Sequence, residues 1–328
     1  SVENPYEVEI SEECVLEDEP KKPETLKEQI LADNPTVKTR DTFTSIFTGN
    51  TANTIYKATG EDGKSDVYYF AGGETESLKI NNWVKFGQDK DGNNLYWRII
   101  RTNEDGGVRL LYAGSSNSTS SGVPTMTNAV INTSTKYNAT YNNSMYVGYM
   151  YGTTGSLASN RNNTNSSTIK GVIDTWYNSG LNTKTDGTNT YDKYISKGAI
   201  YCNDRAHSGT YYATGTTMYY AGYERLVRNR TTKSQPTYVC GKDTNTGTAL
   251  NTSSITSGSE DKFSKSTSQG GNGKLQYPVA LMTADEVSYA GGFYNTNNPT
   301  AWYYYNAASA SATGSTYWWT MSPYSFSS

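Results

Sequence analysis

The side chains able to do chemistry are few in this sequence and lie far apart. Its one histidine, His207, sits in "NDRAHSGTYY", a Gly/Ser/Thr stretch that reads as a surface loop. An imidazole acting as general base needs a nucleophile or an orienting carboxylate beside it. No H-E-x-x-H, G-x-S-x-G or Walker A pattern supplies one. Cys202 and Cys240, in "GAIYCNDR" and "PTYVCGK", read as strand ends, and in an extracellular chain they are expected to form a disulfide. Asp174 and Glu286 fall in helical stretches without evident partners and are assigned to solvated helix faces. "DKDGNN", from Asp89, starts like a calcium loop, but Ile100 stands at the twelfth position, where a bidentate Glu is required. It reads as a turn. The expectation is a protein that is not an enzyme and carries no cofactor or metal.

A second kind of chemistry is open to the chain, namely recognition by aromatic surfaces. The stretch "TAWYYYNAASASATGSTYWWTMSPYSFSS" from Thr300 sets Trp302, Tyr303, Tyr304, Tyr305 and Tyr317 in a matrix of Ala, Ser, Thr and Gly. The overlapping stretch "YNTNNPTAWYYYNAASASATG", from Tyr294 to Gly314, shows neither strand alternation nor helical amphipathicity and contains Pro299, which predicts a displayed loop. Its rings then form either a lid over the core or an exposed binding platform. Trp302, Tyr303, Tyr304, Tyr305 and Tyr317 are the candidate ligand contacts, while at least one of Trp318 and Trp319 is expected in the core.

Composition agrees with recognition. Hydrophobic residues make up 34% of the 328, aromatics alone 13%, with 29 Tyr, so much of the burial must be done by rings with a polar tip. Tyr, Ser, Gly and Asn together are the mixture of antibody binding loops, where Tyr gives contact area at low entropic cost. A net charge of −3 argues against nucleic acid. The longest apolar runs, such as "YPVALM", are too short to span a membrane. Three Cys, modest charge and abundant Tyr, Asn and Thr predict an extracellular, cell-surface setting.

Local signals define the elements that must position these groups. "PETLKEQILADNP" reads as one short helix bracketed by Pro23 and Pro35. "VYYF", "NNWVKFG", "NLYWRIIRTN" and "GVRLLYAG" are strands, and "EDGG" at Glu104–Gly107 suits a hairpin. In "LYWRIIR" both alternating faces carry apolar groups, the mark of a central strand. "SSTIKGVIDTWYNSGL" is the clearest helix, with Ser167 as N-cap and Gly180 as terminator. Its apolar face is read as Ile169, Val172, Ile173 and Trp176, joining Trp97, Ile99, Ile100 and Leu110 in the core. A second helix starts at "TADEVSYAGG", with Thr283 and Glu286 as a capping box and Gly291 as stop. The fold class expected is α+β: a mixed or antiparallel sheet, two helices and long polar loops over residues 36–328, preceded by an acidic N-terminal arm over 1–35.

The motifs "NNWVKFGQDKDGNNLYWRIIRTNEDGGVRLLYAG", "STIKGVIDTWYNSGL", "AIYCNDR", "YPVALMTADEVSYAGG" and "YWWTMSP" occur here in an order that resembles a family of extracellular proteins of gut Firmicutes. Its core is similar to the C-type-lectin-like, formylglycine-generating-enzyme-like domain that ends in Trp-Trp-x-x-Ser-Pro. The resemblance covers about residues 36–328 and implies a C-type-lectin-like display scaffold. Relatives of that fold include the variable proteins of diversity-generating retroelements. It also implies closing strands beyond Ser328. The active-site cysteine pair of formylglycine-generating enzymes has no counterpart near the C-terminal motif, and calcium-type sugar motifs are approached only by "QPT" at Gln235–Thr237.

In "VENPYEVEISEE", Tyr6, Val8 and Ile10 alternate with acidic and polar residues, the pattern of a strand with one buried face. Such a segment needs a sheet edge, on a neighbouring subunit or on its own domain, with Cys14 placed to secure the junction. Two functions follow. One is a surface recognition or adhesion protein presenting aromatics to a glycan or protein ligand. The other is a homo-oligomeric subunit of a surface filament or coat. Enzymatic activity ranks last.

Overall fold

The computed structural model describes residues 23–49, 53–74, 80–115, 119–120, 123–124, 130–132, 134–141, 143, 146–155, 159, 165–203, 207–208, 217–240, 262–263, 275–298, 300–303 and 318–326. The chain is an α+β protein built on a mostly antiparallel sheet. Strands β1 (Thr36–Thr39), β2 (Thr54–Thr59), β3 (Asp66–Tyr69), β4 (Trp83–Gln88), β5 (Asn94–Thr102) and β6 (Val108–Ser115) form that sheet. Only β1 and β2 run parallel. β6 pairs along one edge of β5, whereas β4 takes the first half of the other edge and β3 meets its end at Arg101. Every residue from Leu95 to Thr102 is buried, as a strand apolar on both faces requires. Asn103 to Gly107 make the β5–β6 turn, with Gly106 at φ +85°, where a side chain would be strained.

Short pairs complete the β structure: β7 (Thr119–Ser120) with β8 (Val123–Pro124), and β9 (Tyr201–Cys202) with β12 (Lys262–Phe263). β10 (His207–Ser208), β11 (Met218–Tyr220) and β13 (Ser325–Phe326) make a three-stranded sheet. The helices are α1 (Leu26–Asp33), α2 (Thr168–Ser179), α3 (Ala221–Leu226), α4 (Arg230–Lys233) and α5 (Ala284–Ala290). The expected caps are present. Ser167 Oγ accepts from Lys170 N–H, Thr283 and Glu286 form a capping box, and Gly291 turns left-handed at φ 119°. A Cβ at Gly291 would lie 2.5 Å from the Phe47 carbonyl, so glycine is demanded twice over.

Three sequence readings are corrected. Helix α2 buries Ile169, Lys170, Ile173, Asp174 and Tyr177, not the face through Val172 and Trp176, which is only half-buried. Asp174 is therefore not solvated. Lys170, fully buried, donates from Nζ to Asp174 and to the Val279 carbonyl (2.9 Å), clamping α2 to the extended segment before α5. A burial stripe that accepts a charged pair is invisible to apolar periodicity. Second, α1 does not stand off as part of an arm, because Ile30 is 4% exposed and packs with Ile55 and Ile99. Third, α3 and α4 go unread in the sequence, being six and four residues long with no apolar stripe.

Tyrosine builds much of the interior, as composition demands. Tyr56, Tyr69, Tyr238 and Tyr289 share one cluster, with Tyr238 stacked on Tyr289 at 4.1 Å and the Tyr289 hydroxyl donating to the Pro236 carbonyl. Such ring pairs add ~0.5–1.5 kcal/mol each beyond the area they bury. Burial raises the Tyr69 and Tyr238 phenols, so both are neutral at physiological pH. Beside this cluster Cys202 and Cys240 are disulfide-bonded across a sequence separation of 38. Closing a loop of that length stabilises by about 4 kcal/mol in the chain-entropy account.

Candidate functional site

The C-terminal aromatics divide in a way their sequence does not suggest. Trp302, proposed as a ligand contact, is 1% exposed. Its indole donates to the Phe70 carbonyl (3.0 Å), and its own N–H donates to the Gly72 carbonyl (3.2 Å). It is a core residue, a correction to the binding assignment. Tyr303 is half-buried against the same cluster. Trp318 and Trp319, one of which was expected inside, are 44% and 47% exposed, and Met321 takes the buried place. Trp319 is nevertheless tethered, its indole donating to the Thr135 carbonyl (2.9 Å). Tyr304, Tyr305, Tyr317, Tyr6, Val8, Ile10 and Cys14 lie outside the described residues.

A different set of rings meets at the surface. Tyr219 lies in β11 beside Tyr220, which is 1% exposed and packs edge-on against Tyr149. Strand alternation then turns Tyr219 the other way. One turn into α3, the Tyr223 ring stacks on Tyr219 at 4.2 Å. Pairing of β13 with β11 brings Tyr324 alongside, its carbonyl accepting from Tyr220 N–H, and its ring meets Tyr223 edge-on at 4.9 Å. Tyr294, just past α5, stacks on Tyr324 at 5.6 Å, and their hydroxyls are 3.1 Å apart. That bond holds the Tyr324 phenol up at about 12. Tyr294 and Tyr324 are 42% and 43% exposed, and Tyr219 and Tyr223 are half-buried.

Arginines border this strip. Arg228 lies over Tyr219 and Tyr223 at 5.2 and 5.4 Å and donates through Nε and a terminal nitrogen to the Glu224 carboxylate. Arg230 lies over Tyr294 at 5.4 Å and Phe293 at 6.0 Å. The result is a row of rings, two stacked pairs that meet edge-on between Tyr223 and Tyr324, with hydroxyls and guanidinium groups at its margins. Exposed ring surface receives the C–H groups of a sugar or another ring, and the margins supply hydrogen bonds. Of these residues Tyr324 belongs to the C-terminal stretch read as aromatic-rich, and Tyr294 opens the segment read as a displayed loop, although neither was named a ligand contact. The others were missed, although Tyr219 and Tyr223 are spaced one helical turn apart beside the basic run "ERLVRNRTTK".

The other concentration of functional groups is internal. Arg109 of β6 reaches Glu286 of α5 (2.8 Å), Glu61 (3.3 Å) and the Ile200 carbonyl, while Arg101 of β5 binds Glu61. Glu286, expected on a solvated face, is 3% exposed and spends its second oxygen on the Thr283 N–H of its own cap. Burial pushes Glu61 up to about 7 against the pull of Arg109 and Arg101. A shifted carboxyl invites a catalytic reading. The adjoining cavity, however, measures about 10 Å³, room for one water, and is lined by Glu61, Arg109, Cys202, Asp285 and Glu286 among others. What this network can do is join β5, β6, α5 and the segment before β9. Asp89 likewise turns inward on its own loop, accepting from the Asp91 and Asn93 N–H groups. His207 sits in β10 opposite Tyr220. The described residues contain no helix long and apolar enough to cross a membrane and no cluster of His, Cys, Asp and Glu suited to a metal ion. Compared with family models, curated proteins and solved structures, the chain has no match.

Proposed function

We propose that the protein is an extracellular, cell-surface recognition protein that binds a glycan on the strip Tyr219–Tyr223–Tyr324–Tyr294. The observation that carries this reading is the row itself: four tyrosines from three separate segments, in ring contact with one another and left open at one end. Exposed aromatic surface of this kind is costly to leave bare and marks interaction sites. The Cys202–Cys240 disulfide supports an oxidising compartment. A C-type-lectin-like scaffold is part of the proposal, supported by the α+β architecture, the mostly antiparallel sheet and the order of the sequence motifs.

The test is a glycan array probed with the wild-type chain and with Tyr294→Ala and Tyr324→Ala. Each substitution should lower binding to the best glycan by roughly tenfold or more, as loss of a central aromatic contact does. The melting temperature should stay nearly unchanged, because both rings are over two-fifths exposed. Full binding by both variants would remove the strip from the function.

One observation favours the second reading, a filament or coat subunit. β1 ends the main sheet with all four residues exposed and has no second neighbour among the described residues. An open edge of this kind accepts an added strand. On that reading the segment Tyr6–Ile10 of a neighbouring copy supplies it. Deleting residues 1–12 should then reduce the assembled mass in light scattering to that of a monomer, and an unchanged mass would dismiss strand addition.

A further inference from the structure

We propose that the saccharide taken by the tyrosine strip is anionic, and that Arg230 anchors its carboxylate or sulfate group. The inference rests on the strip being the glycan site. It starts from charge. The chain carries a net −3, yet residues 224–233 place Arg225, Arg228, Arg230 and Lys233 within ten positions that include one carboxylate, Glu224. Two of these cations are consumed internally. Arg225 holds the buried Asp285 at 2.6 Å, and Arg228 holds Glu224 at 2.6 Å. Arg230 and Lys233 have no carboxylate partner among the described residues, and no protein acceptor there receives the Arg230 guanidinium N–H groups.

Geometry then distinguishes the two. Arg230 is held over the Tyr294 and Phe293 rings, at the exposed end of the strip. A guanidinium resting on aromatic faces keeps its planar fork oriented and its in-plane donors available, which suits the two oxygens of a carboxylate or sulfate. The free charge and the ring faces are therefore contiguous. A chain of acidic sugars uses both at once, setting pyranose C–H groups against the exposed parts of the stacked Tyr324–Tyr294 pair while its anionic group meets Arg230. An acidic peptide would meet the charge without setting pyranose C–H groups against the exposed rings.

Titration calorimetry of the full chain decides the matter, with an oligogalacturonate as carboxylate probe, a heparin oligosaccharide as sulfate probe and a malto-oligosaccharide as neutral control. One or both anionic probes should bind, more weakly as salt is raised. Arg230→Gln should weaken that binding roughly tenfold, the size of one charge-assisted bidentate contact. Arg230→Lys should recover part of the loss by restoring charge without the fork. The assignment is overturned if the neutral control binds as tightly, if Arg230→Gln changes nothing, or if a polyglutamate peptide displaces the saccharide at equal concentration. Retained sensitivity to Tyr324→Ala together with indifference to Arg230→Gln would leave the strip as a glycan site and remove only the anion. Failure of all three saccharides to bind would remove both.

Discussion

Arg109→Ala should destabilise the protein by ~3–5 kcal/mol, the cost of leaving buried carboxylates without their cation. Arg109 touches Glu286 at 2.8 Å, Glu61 at 3.3 Å and the Ile200 carbonyl, and its guanidinium lies over the Tyr201 ring at 4.5 Å. Burial alone would lower its pKa, but Glu286 and Glu61 hold it above its ordinary value, so it is charged throughout the accessible range. Without it, Glu61 keeps Arg101 alone, and Glu286 keeps only its capping bond. The loss should depend on pH in a definite direction. Glu61 has a folded-state pKa of about 7 against a reference of 4.5, so the folded chain binds its proton more tightly than the unfolded chain does. Its contribution to stability is then present below the reference value and declines as pH rises towards 7. Removing Arg109 takes away a charge that pulls this pKa down, which extends the decline to higher pH. Urea unfolding should therefore show a larger loss at about pH 8 than at about pH 5. An equal loss at both would mean that Arg109 acts by packing alone.

Trp302→Ala should cost about as much, ~3–5 kcal/mol, for a different reason. The ring is 1% exposed in the cluster of Ile55, Phe70, Ile99 and Met282, so truncation opens a cavity that the sheet cannot fill. It also deprives the Phe70 carbonyl of its indole donor. The segment from Thr300 is held to residues 72–74 by the Gly73–Ala301 bridge and by Glu74 N–H donating to the Thr300 carbonyl (2.7 Å). That tie keeps the backbone in place and prevents collapse onto the void. Thermal and urea unfolding measure the loss. A cost under about 1 kcal/mol is what a displayed residue would give, and it would reinstate Trp302 as a surface contact.

Much of the scaffold is legible from sequence because its determinants are local. Ser167 with Lys170, Thr283 with Glu286, and Asn103 with Gly107 are partners three or four residues apart, so cap and turn chemistry announces itself. The central position of β5 is legible too, since a strand covered on both faces must be apolar on both. The pairing of Cys202 with Cys240 followed from the expected compartment. The C-terminal aromatics, by contrast, were sorted wrongly where they can be seen. One Trp in an irregular segment looks like another until the fold supplies a cavity, and here the cavity took Trp302 while Trp318 and Trp319 stayed half outside.

The site itself was a decision of tertiary structure. Tyr219, Tyr294 and Tyr324 become neighbours only because β13 pairs with β11 and α3 packs beside α5, bringing residues about a hundred positions apart into ring contact. The buried charges behave in the same way. Arg109 and Glu286 are 177 residues apart, and in sequence each is an ordinary solvated ion. Burial alone is what turns such ions into partners, because only a desolvated charge must have one.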